Sequence, residues 1–491
     1  MRLSRIAVPM NQLVQNAKQW IDRNQRRFGM ITSIDGSQLV CVMLDPANGT
    51  AELWETKLER NSYKAITNQL PQAHWNERVL FDMFGIVPEG HPRLKHILLH
   101  EQYDPSLFPL RRTALPVQSQ IDRKFNFLEV KGEGVYEIPV GPIHAGVIEP
   151  AHFRFSCLGE TILNLEIKMG WVHRGVEKRL TEVPWRKARY VAEATASDTA
   201  VANALAHAIA IESLFGAELP ARAETLRTLA LEIERLAMHA IDVGGMANDV
   251  GFLGVFHNLS RLRGYALGMA QALSGNRFMR AFIMPGGTRE FDNARTEKIK
   301  TLVKNMREEI KPILDVFEDN QTAKQRFSVA SVSKSLATEF NLVGVSARAC
   351  GIEYDCRRHF KHGLYPQMAP PIVVRAQGDI LARTRVRVAE IYSSMNLIEK
   401  LINEIPAGKT TINLPDTLPA DEISLGIVEA FRGELLHLIV TDEDGNIARY
   451  AIKDPSANNW TAISIAIRNN LIADFPLANK SLGLSYSGND L

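Results

Sequence analysis

Apolar residues recur along this chain in two rhythms, one of period two and one of period three to four. Over residues 1–100 the runs are short. Residues 38–44 and 50–54 read as strands, 79–84 as an apolar stretch closed by Gly85, and Glu89-Gly90-His91-Pro92 as a turn. Pro105, Pro109 and Pro116, with the Lys131-Gly132-Glu133-Gly134 step, mark residues 101–134 as a linker. Three more short strands are predicted at 136–140, 151–157 and 161–169. Long helical patterns follow at 182–215, 221–241, 258–273, 293–317 and 379–405, and the last sets Ile391, Met395, Ile398 and Ile402 on one stripe. Runs at 434–440 and 447–452 flank Asp444-Gly445, a hairpin signal, and a final helix is predicted over 459–470. The pattern gives an α+β chain. It has a small N-terminal α+β domain (1–100), the linker (101–134) and a large, mainly helical domain with short β-sheet elements (135–491).

Composition changes this picture little. With 45% hydrophobic and 23% charged residues the chain is an ordinary globular one with a large core. A net charge of +2 gives no excess for nucleic acid. No apolar run reaches the roughly 18 residues of a membrane span, and the stretch from Met1 to Trp20 lacks the apolar centre of a signal peptide, so no leader is expected. Cys41, Cys157, Cys350 and Cys356 are scattered, without the spacing of a disulfide framework or a cluster, and are expected to be buried thiols in a reducing compartment.

Motifs carry the chemistry. Residues 75–94 read WNERVLFDMFGIVPEGHPRL, in which Glu77, Arg78, Asp82, Phe84, Gly85, Ile86, Gly90, His91 and Pro92 fall on an ERxxxDxFGIxxxGHPxL pattern. This is similar to the signature of the 30-kDa-type subunit of respiratory complex I. Downstream stand Gly141-Pro142-Ile143-His144 with Glu149, Pro150, His152, Phe153 and Arg154, then His173-Arg174-Gly175-Val176-Glu177-Lys178. Glu232 to His239 with Asp249-Val250-Gly251 follow, then Gly378-Asp379 with Arg383, Arg387 and Glu390, and Arg432-Gly433-Glu434. This set resembles the large subunit of membrane-bound (group 4) nickel–iron hydrogenases and its complex I relative, the 49-kDa-type subunit. The resemblance covers nearly the whole chain.

The departures from that family are as informative as the matches. The hydrogenase resemblance implies two CxxC pairs, whose soft anionic thiolates suit nickel and iron. Counting back from Glu212, the first pair falls on Ala196 and Thr199; after Asp454-Pro455, the second falls on Ser456 and Asn459. None is cysteine, so no metal is expected, and the chain is most similar to hydrogenase-related complexes that have lost the nickel ligands. The complex I resemblance implies a quinone head group in the vacated cavity. A polar, hydrated pocket is therefore expected, bounded by His144, Glu149, Asp198, Thr199, Ser456 and Asn459. The family's quinone-site tyrosine is missing, since that region reads Ser197-Asp198, and a second complex I histidine position is Met246.

Each candidate has a plainer alternative. His144, Glu149 and His152 are candidate proton carriers; otherwise they hold a hairpin together. Asp198, if buried beside Ala196 and Val201, should have a raised pKa; otherwise it faces solvent. The resemblance sets Arg174, with His173, beside the terminal iron–sulfur cluster of a neighbouring subunit, against a surface salt bridge to Glu177. Arg383, Arg387 and Glu390 read as a structural ion network and His91 as a turn residue. Trp171 and the helix over 182–214 are the expected face toward the small subunit.

The resemblance thus implies the large electron-transfer subunit of a membrane-attached respiratory complex, peripheral on the cytoplasmic face of the inner membrane, with no cofactor of its own. Expected partners are a small iron–sulfur subunit of the 20-kDa type, a ferredoxin-like subunit, and antiporter-like and other integral membrane subunits. A non-catalytic conformational coupler is the alternative, and a working hydrogenase the least favoured.

Overall fold

The computed structural model describes residues 1, 3–23, 26–112, 124–145 and 148–491; the Pro116 part of the expected linker lies outside them. Four strands open the chain. β1 (Ser4–Ala7) runs parallel to β4 (Thr50–Lys57), and β3 (Gln38–Asp45) and β2 (Arg27–Ser33) follow antiparallel in the order β1-β4-β3-β2. Helix α1 (Leu13–Ile21) buries Leu13, Ala17 and Trp20, a stripe at i, i+4 and i+7, with the Trp20 ring edge-on to Trp54 at 5.6 Å.

Helix α2 (His74–Phe84) lies between the short parallel strands β5 (Ser62–Lys64) and β6 (Val87–Glu89), and it explains the ER…D…FG motif. The Glu77 carboxylate accepts from the Tyr63 hydroxyl at 2.8 Å, Ile66 N at 2.7 Å and Thr67 N at 3.0 Å. Asp82 accepts from Ile97 N at 2.8 Å and Leu98 N at 2.7 Å. These buried carboxylates satisfy loop amides on either side of the helix, which would otherwise be orphaned. Gly85 ends α2 at φ 67, where glycine is favoured. His91 Nδ1 accepts from Arg93 N at 3.1 Å, the turn role expected.

β7 (Val135–Val140), β8 (His152–Leu158) and β9 (Thr161–Lys168) form an antiparallel sheet. The single helix expected over 182–215 is broken: α3 (Val176–Glu182) ends where it was to begin, and α4 (Trp185–Ala192) and α5 (Ala200–Phe215) divide the rest. Pro184, which has no amide to donate, separates the first two. After α4, the Ala194 and Thr195 carbonyls turn to the Arg174 guanidinium at 3.0 and 2.6 Å instead of to later amides. Ala196 and Thr199 therefore stand before a helix, not inside one.

The bundle is α6 (Ala221–Asp249), α7 (Leu253–Ser274), α8 (Thr296–Asp319) and α14 (Ile380–Asn403), the last capped by Asp379, whose carboxylate accepts from Ala382 N at 2.7 Å. A ribbon of β10 (Ile283–Met284) with β11 (Gly287–Thr288) and the short helices α9 to α13, within 321–368, join them. β12 (Ile423–Ala430), β13 (Gly433–Thr441) and β14 (Ile447–Lys453) make a second antiparallel sheet, followed by α15 (Ser456–Ala466), α16 (Phe475–Leu482) and α17 (Tyr486–Asp490). α15 starts before the expected 459 because Asp454 Oδ1 takes Ser456 N at 2.8 Å.

Every residue of β12 and β13 is buried. α5 covers one face, so closely that a Cβ at Gly426 would overlap the Ala206 carbonyl oxygen. On the other face Leu425, Leu436 and Leu438 share an apolar cluster with Met30, Val40, Val42 and Leu53 of the N-terminal sheet. The two sheets thus close one core between them. Beneath it lies a buried ionic cluster. Arg348 pairs with Glu390 at 2.7 Å and Glu429 at 2.8 Å, Glu390 with His239 at 2.9 Å, and Arg357 with Asp355 at 2.7 Å and Glu232 at 3.3 Å. Arg383 and Arg387 do not pair with Glu390. They donate to the Ser481 hydroxyl at 2.9 Å and the Ser481 carbonyl at 2.7 Å, and Arg387 also reaches Asp242 at 3.1 Å, fixing the end of α16. Among the described residues no helix is long and apolar enough to cross a membrane.

Candidate functional site

The segment 483–491, held at Ser481 by the two arginines, is bonded to Glu149, His173, Arg174, Arg432 and Ser456 among the residues that the sequence marks. The Gly483 carbonyl accepts from Arg432 Nε. Ser485 N donates to the Ser456 hydroxyl at 2.8 Å, and Ser487 N to Glu149 Oε2 at 2.8 Å. The Ser487 carbonyl accepts from Arg174 Nη2 at 3.2 Å, the nitrogen that also holds the Thr195 carbonyl. The Asp490 carboxylate takes Gly170 N at 2.8 Å and Val172 N at 3.2 Å, and the Asp490 carbonyl accepts from His173 Nδ1 at 2.6 Å.

These bonds correct the assignment of the second vacated pair. Asn459 points away: its side chain clasps the Val343 backbone, accepting from N at 3.2 Å and donating to O at 3.3 Å. The stretch set opposite Ala196 and Thr199, through the shared Arg174 nitrogen, is 485–488. There Ser485 and Gly488 have the same i, i+3 spacing, and the Ser485 hydroxyl accepts from Gly488 N at 2.9 Å. The signal was present as Ser-Tyr-Ser-Gly, but Asp454-Pro455 drew the count to Ser456.

A nickel–iron centre does not fit these residues. Ala196 and Gly488 offer no donor atom. The Thr199 hydroxyl accepts from Asn203 Nδ2 at 3.2 Å, and the Ser485 hydroxyl is taken by Gly488. A Cβ at Gly488 would overlap Asp454 Oδ2, so a carboxylate already fills the space of a side chain there. Cys41, Cys157, Cys350 and Cys356 are all buried and free.

Of the six residues expected around one hydrated pocket, all but His144 spend side-chain polar atoms on bonds within the chain. Asp198 makes a two-pronged pair with Arg432, at 3.0 and 2.6 Å. Burial pushes its carboxyl up, but the guanidinium outweighs that and the net shift is downward, opposite to the expectation. Glu149 and Ser456 cap tail amides. His144 lies 5.3 Å from the Phe153 ring and 6.2 Å from Tyr486; its Nε2 is shut off from solvent and has no partner among the described residues, and burial lowers its pKa. His152 accepts from Arg154 Nε at 3.4 Å on Nε2, so its Nδ1 carries the proton and donates to the Gly141 carbonyl at 3.3 Å; it braces the hairpin base. Arg174 does not reach Glu177, whose carboxylate belongs to Arg449 at 2.7 Å and Ile452 N at 2.8 Å. Of the expected partner face, Trp171 and Tyr190 are exposed, but α5 is buried within the chain and is not part of it.

Sequence reasoning missed three buried carboxyls. Glu234 accepts from Val201 N at 2.7 Å and Ala202 N at 3.1 Å at the start of α5, and burial raises it to about 8. Burial also raises Asp454, and it lifts Asp490 from 3.8 to about 7. The fold therefore favours protonated Asp490. This stabilisation is fully present below pH 3.8 and is lost as pH rises through about 7. We expect denaturation midpoints to fall across that window, by an upper limit of about 4 kcal/mol, and Asp490→Asn to flatten the fall. Superimposable midpoint-against-pH curves for the two proteins would exclude this titration.

Comparison with known proteins matches residues 6–119 to the family described as respiratory-chain NADH dehydrogenase, 30 Kd subunit, and residues 249–425 to that described as respiratory-chain NADH dehydrogenase, 49 Kd subunit. The chain is 31% identical over 372 residues to membrane-bound hydrogenase subunit alpha of Pyrococcus furiosus, covering 72% of this chain and 87% of that one. It is 28% identical over 473 residues to formate hydrogenlyase subunit 5 of Escherichia coli, covering 93% and 82%. It is 27% identical over 444 residues to the C/D subunit of NADH-quinone oxidoreductase from Phocaeicola vulgatus, covering 85% and 85%. Its fold matches a chain of the membrane-bound sulfane sulfur reductase, an archaeal respiratory membrane complex, with a TM-score of 0.69 and 24% identity over 73% of this chain and 99% of that one.

Proposed function

Because the chain belongs to the family of fused 30-kDa/49-kDa subunits common to complex I and group 4 hydrogenases, we propose that it is the large electron-transfer subunit of a membrane-attached complex, working without a nickel–iron centre. Electrons come from the iron–sulfur cluster of a small partner subunit, with Arg174 and His173 on the side facing it, and pass to a quinone-like acceptor. This chain carries no cluster. Further partners are a ferredoxin-like subunit and antiporter-like membrane subunits, and the complex sits on the cytoplasmic face of the inner membrane, coupled to ion translocation.

The observation that carries this reading is the hairpin. His144 keeps a buried, unpartnered ring nitrogen next to Ile143, which is 83% exposed. An unfilled imidazole position beside apolar surface fits an acceptor with a carbonyl oxygen and an apolar body. The second reading, a conformational coupler without redox chemistry, is favoured by one other observation: Asp198 and the Ser485 hydroxyl are both engaged within the chain, by Arg432 and by Gly488 N. Quinone reduction by the purified complex separates the two. We expect turnover, iron without stoichiometric nickel, and a rise in KM for quinone on His144→Phe with assembly unchanged. Intact assembly with no quinone-dependent turnover would leave the coupler; stoichiometric nickel with hydrogen uptake would overturn both.

A further inference from the structure

A pocket of about 390 Å³ lies where the two modules meet. Residues of α2 line one side of it and residues of β9 and α15 the other, and the Trp75 indole donates to the Thr461 hydroxyl across the joint at 2.8 Å. Trp75, Phe125, Phe340 and Ile465 give it apolar walls. Its charged groups are Arg78, Arg93 and Arg468, against Glu166 and the exposed Glu339. Glu166 is claimed twice, by Arg93 at 2.6 Å and by Lys95 at 2.6 Å.

Arg78 is the group the chain leaves unanswered. It is only 5% exposed. Its Nε donates to the Lys95 carbonyl at 2.7 Å and its Nη2 to the His96 carbonyl at 3.0 Å, so the plane of the guanidinium is fixed. Among the described residues Nη1 has no partner and no carboxylate pairs with the side chain. Asp82, one turn on, is taken up by His96 Nδ1 and by the amides of Ile97 and Leu98. Two carbonyls satisfy donors but leave the charge in place, and a buried charge without a counter-ion is costly. Arg383, also without a carboxylate, by contrast spends all three nitrogens within the chain.

Further donors stand around the same pocket. Arg468, just past α15, is exposed and has one bond, to Asn164 Oδ1 at 3.2 Å. The Ser464 hydroxyl and His74 Nδ1 have no partners among the described residues. Burial, then Arg78, His91 and Arg93, lower His74 from 6.5 to about 2, so its ring adds no charge of its own.

We propose that this pocket binds a phosphate group, with Arg78 as the buried anchor, Arg468 and Ser464 as further donors, and the apolar walls receiving an organic body esterified to it. A fixed guanidinium matches phosphate oxygens in geometry as well as in charge, and a few polar groups set in apolar walls are the usual make-up of a ligand pocket. The phosphate belongs either to a soluble compound or to the headgroup of an acidic phospholipid. Bound there, it ties α2 to α15 and braces the joint between the modules. The inference goes beyond the redox reading and does not rest on it.

Hydrogen–deuterium exchange of the purified complex, in detergent at neutral pH and constant ionic strength, tests this. The probes are inorganic phosphate and dihexanoylphosphatidylglycerol, with chloride as the control, since general screening by salt is the same in all three. We expect the segments 67–74, 92–95 and 464–470 to gain saturable protection from a phosphate probe and none from chloride. Protection by inorganic phosphate assigns the soluble source, and protection by the lipid alone assigns the headgroup. Arg78→Gln should abolish the protection. Arg468→Gln, an exposed change that spares the fold, should raise the half-saturating concentration several-fold, and Glu339→Gln, which removes an opposing charge, should not weaken binding. The absence of saturable protection by either probe would overturn the proposal, and so would protection unchanged in both arginine variants.

Discussion

Placing cysteine at position 488 is expected to destabilise the protein by about 2–3 kcal/mol and to rebuild no thiolate site. The first atom of any side chain there would overlap Asp454 Oδ2 and lie 2.7 Å from the Ser485 hydroxyl. One of three things must then give: the carboxylate, which is anchored on Ser456 N, the hydroxyl, which caps Gly488 N, or the tail itself. Denaturant unfolding of Gly488→Cys against the native protein measures the loss. Asp454→Ala is expected to recover part of it in the double variant, because the two groups compete for one space and neighbouring substitutions are not additive. Native-like stability of Gly488→Cys, or strict additivity in the double variant, would mean that the carboxylate is not where the geometry puts it.

Arg348→Met should cost more, about 3–5 kcal/mol, because it strands two buried carboxylates. Arg348 is fully buried and is shared by Glu390 at 2.7 Å, Glu429 at 2.8 Å and the Tyr354 carbonyl at 3.1 Å. Those partners lie on α14, on β12 and in the loop at 350–355, so the loss should loosen the sheet on which α5 rests. Lys311→Ala is the contrast. Its pair with Asp315 spans a single turn on an exposed helix face, where solvent screens it and its loss costs little. Thermal unfolding of both variants should separate them by many degrees. An Arg348→Met protein as stable as Lys311→Ala would show that the cluster is not a structural keystone.

Much of the fold was legible. Helices α6, α7, α8 and α14 follow from apolar residues recurring at three and four, and β3 and β4 of the first sheet from short apolar runs. β12 was not legible because both its faces are covered, by α5 and by the N-terminal sheet, so its residues do not alternate. The break before α5 was missed because its cause, Arg174 taking the Ala194 and Thr195 carbonyls, is a contact across some 20 residues that no local propensity records. Within the site, Ala196 and Thr199 could be counted from Glu212. Asp198 could be located but not its charge state, since that depends on Arg432, 234 positions away in sequence. Ser485 and Gly488 were hidden by the stronger punctuation of Asp454-Pro455.

The tail 483–491 is held largely by main-chain atoms. Gly483 and Ser487 are gripped at their carbonyls, Ser485, Ser487 and Gly488 at their amides. A closure of this kind reads spacing and is nearly blind to side-chain identity. Drift among the residues of 483–491 that keeps Ser485, Gly488 and Asp490 leaves the grips intact, whereas inserting or deleting a single residue puts every grip out of phase at once. The segment therefore behaves as a ruler: what the fold fixes is the count of residues between α16 and Asp490.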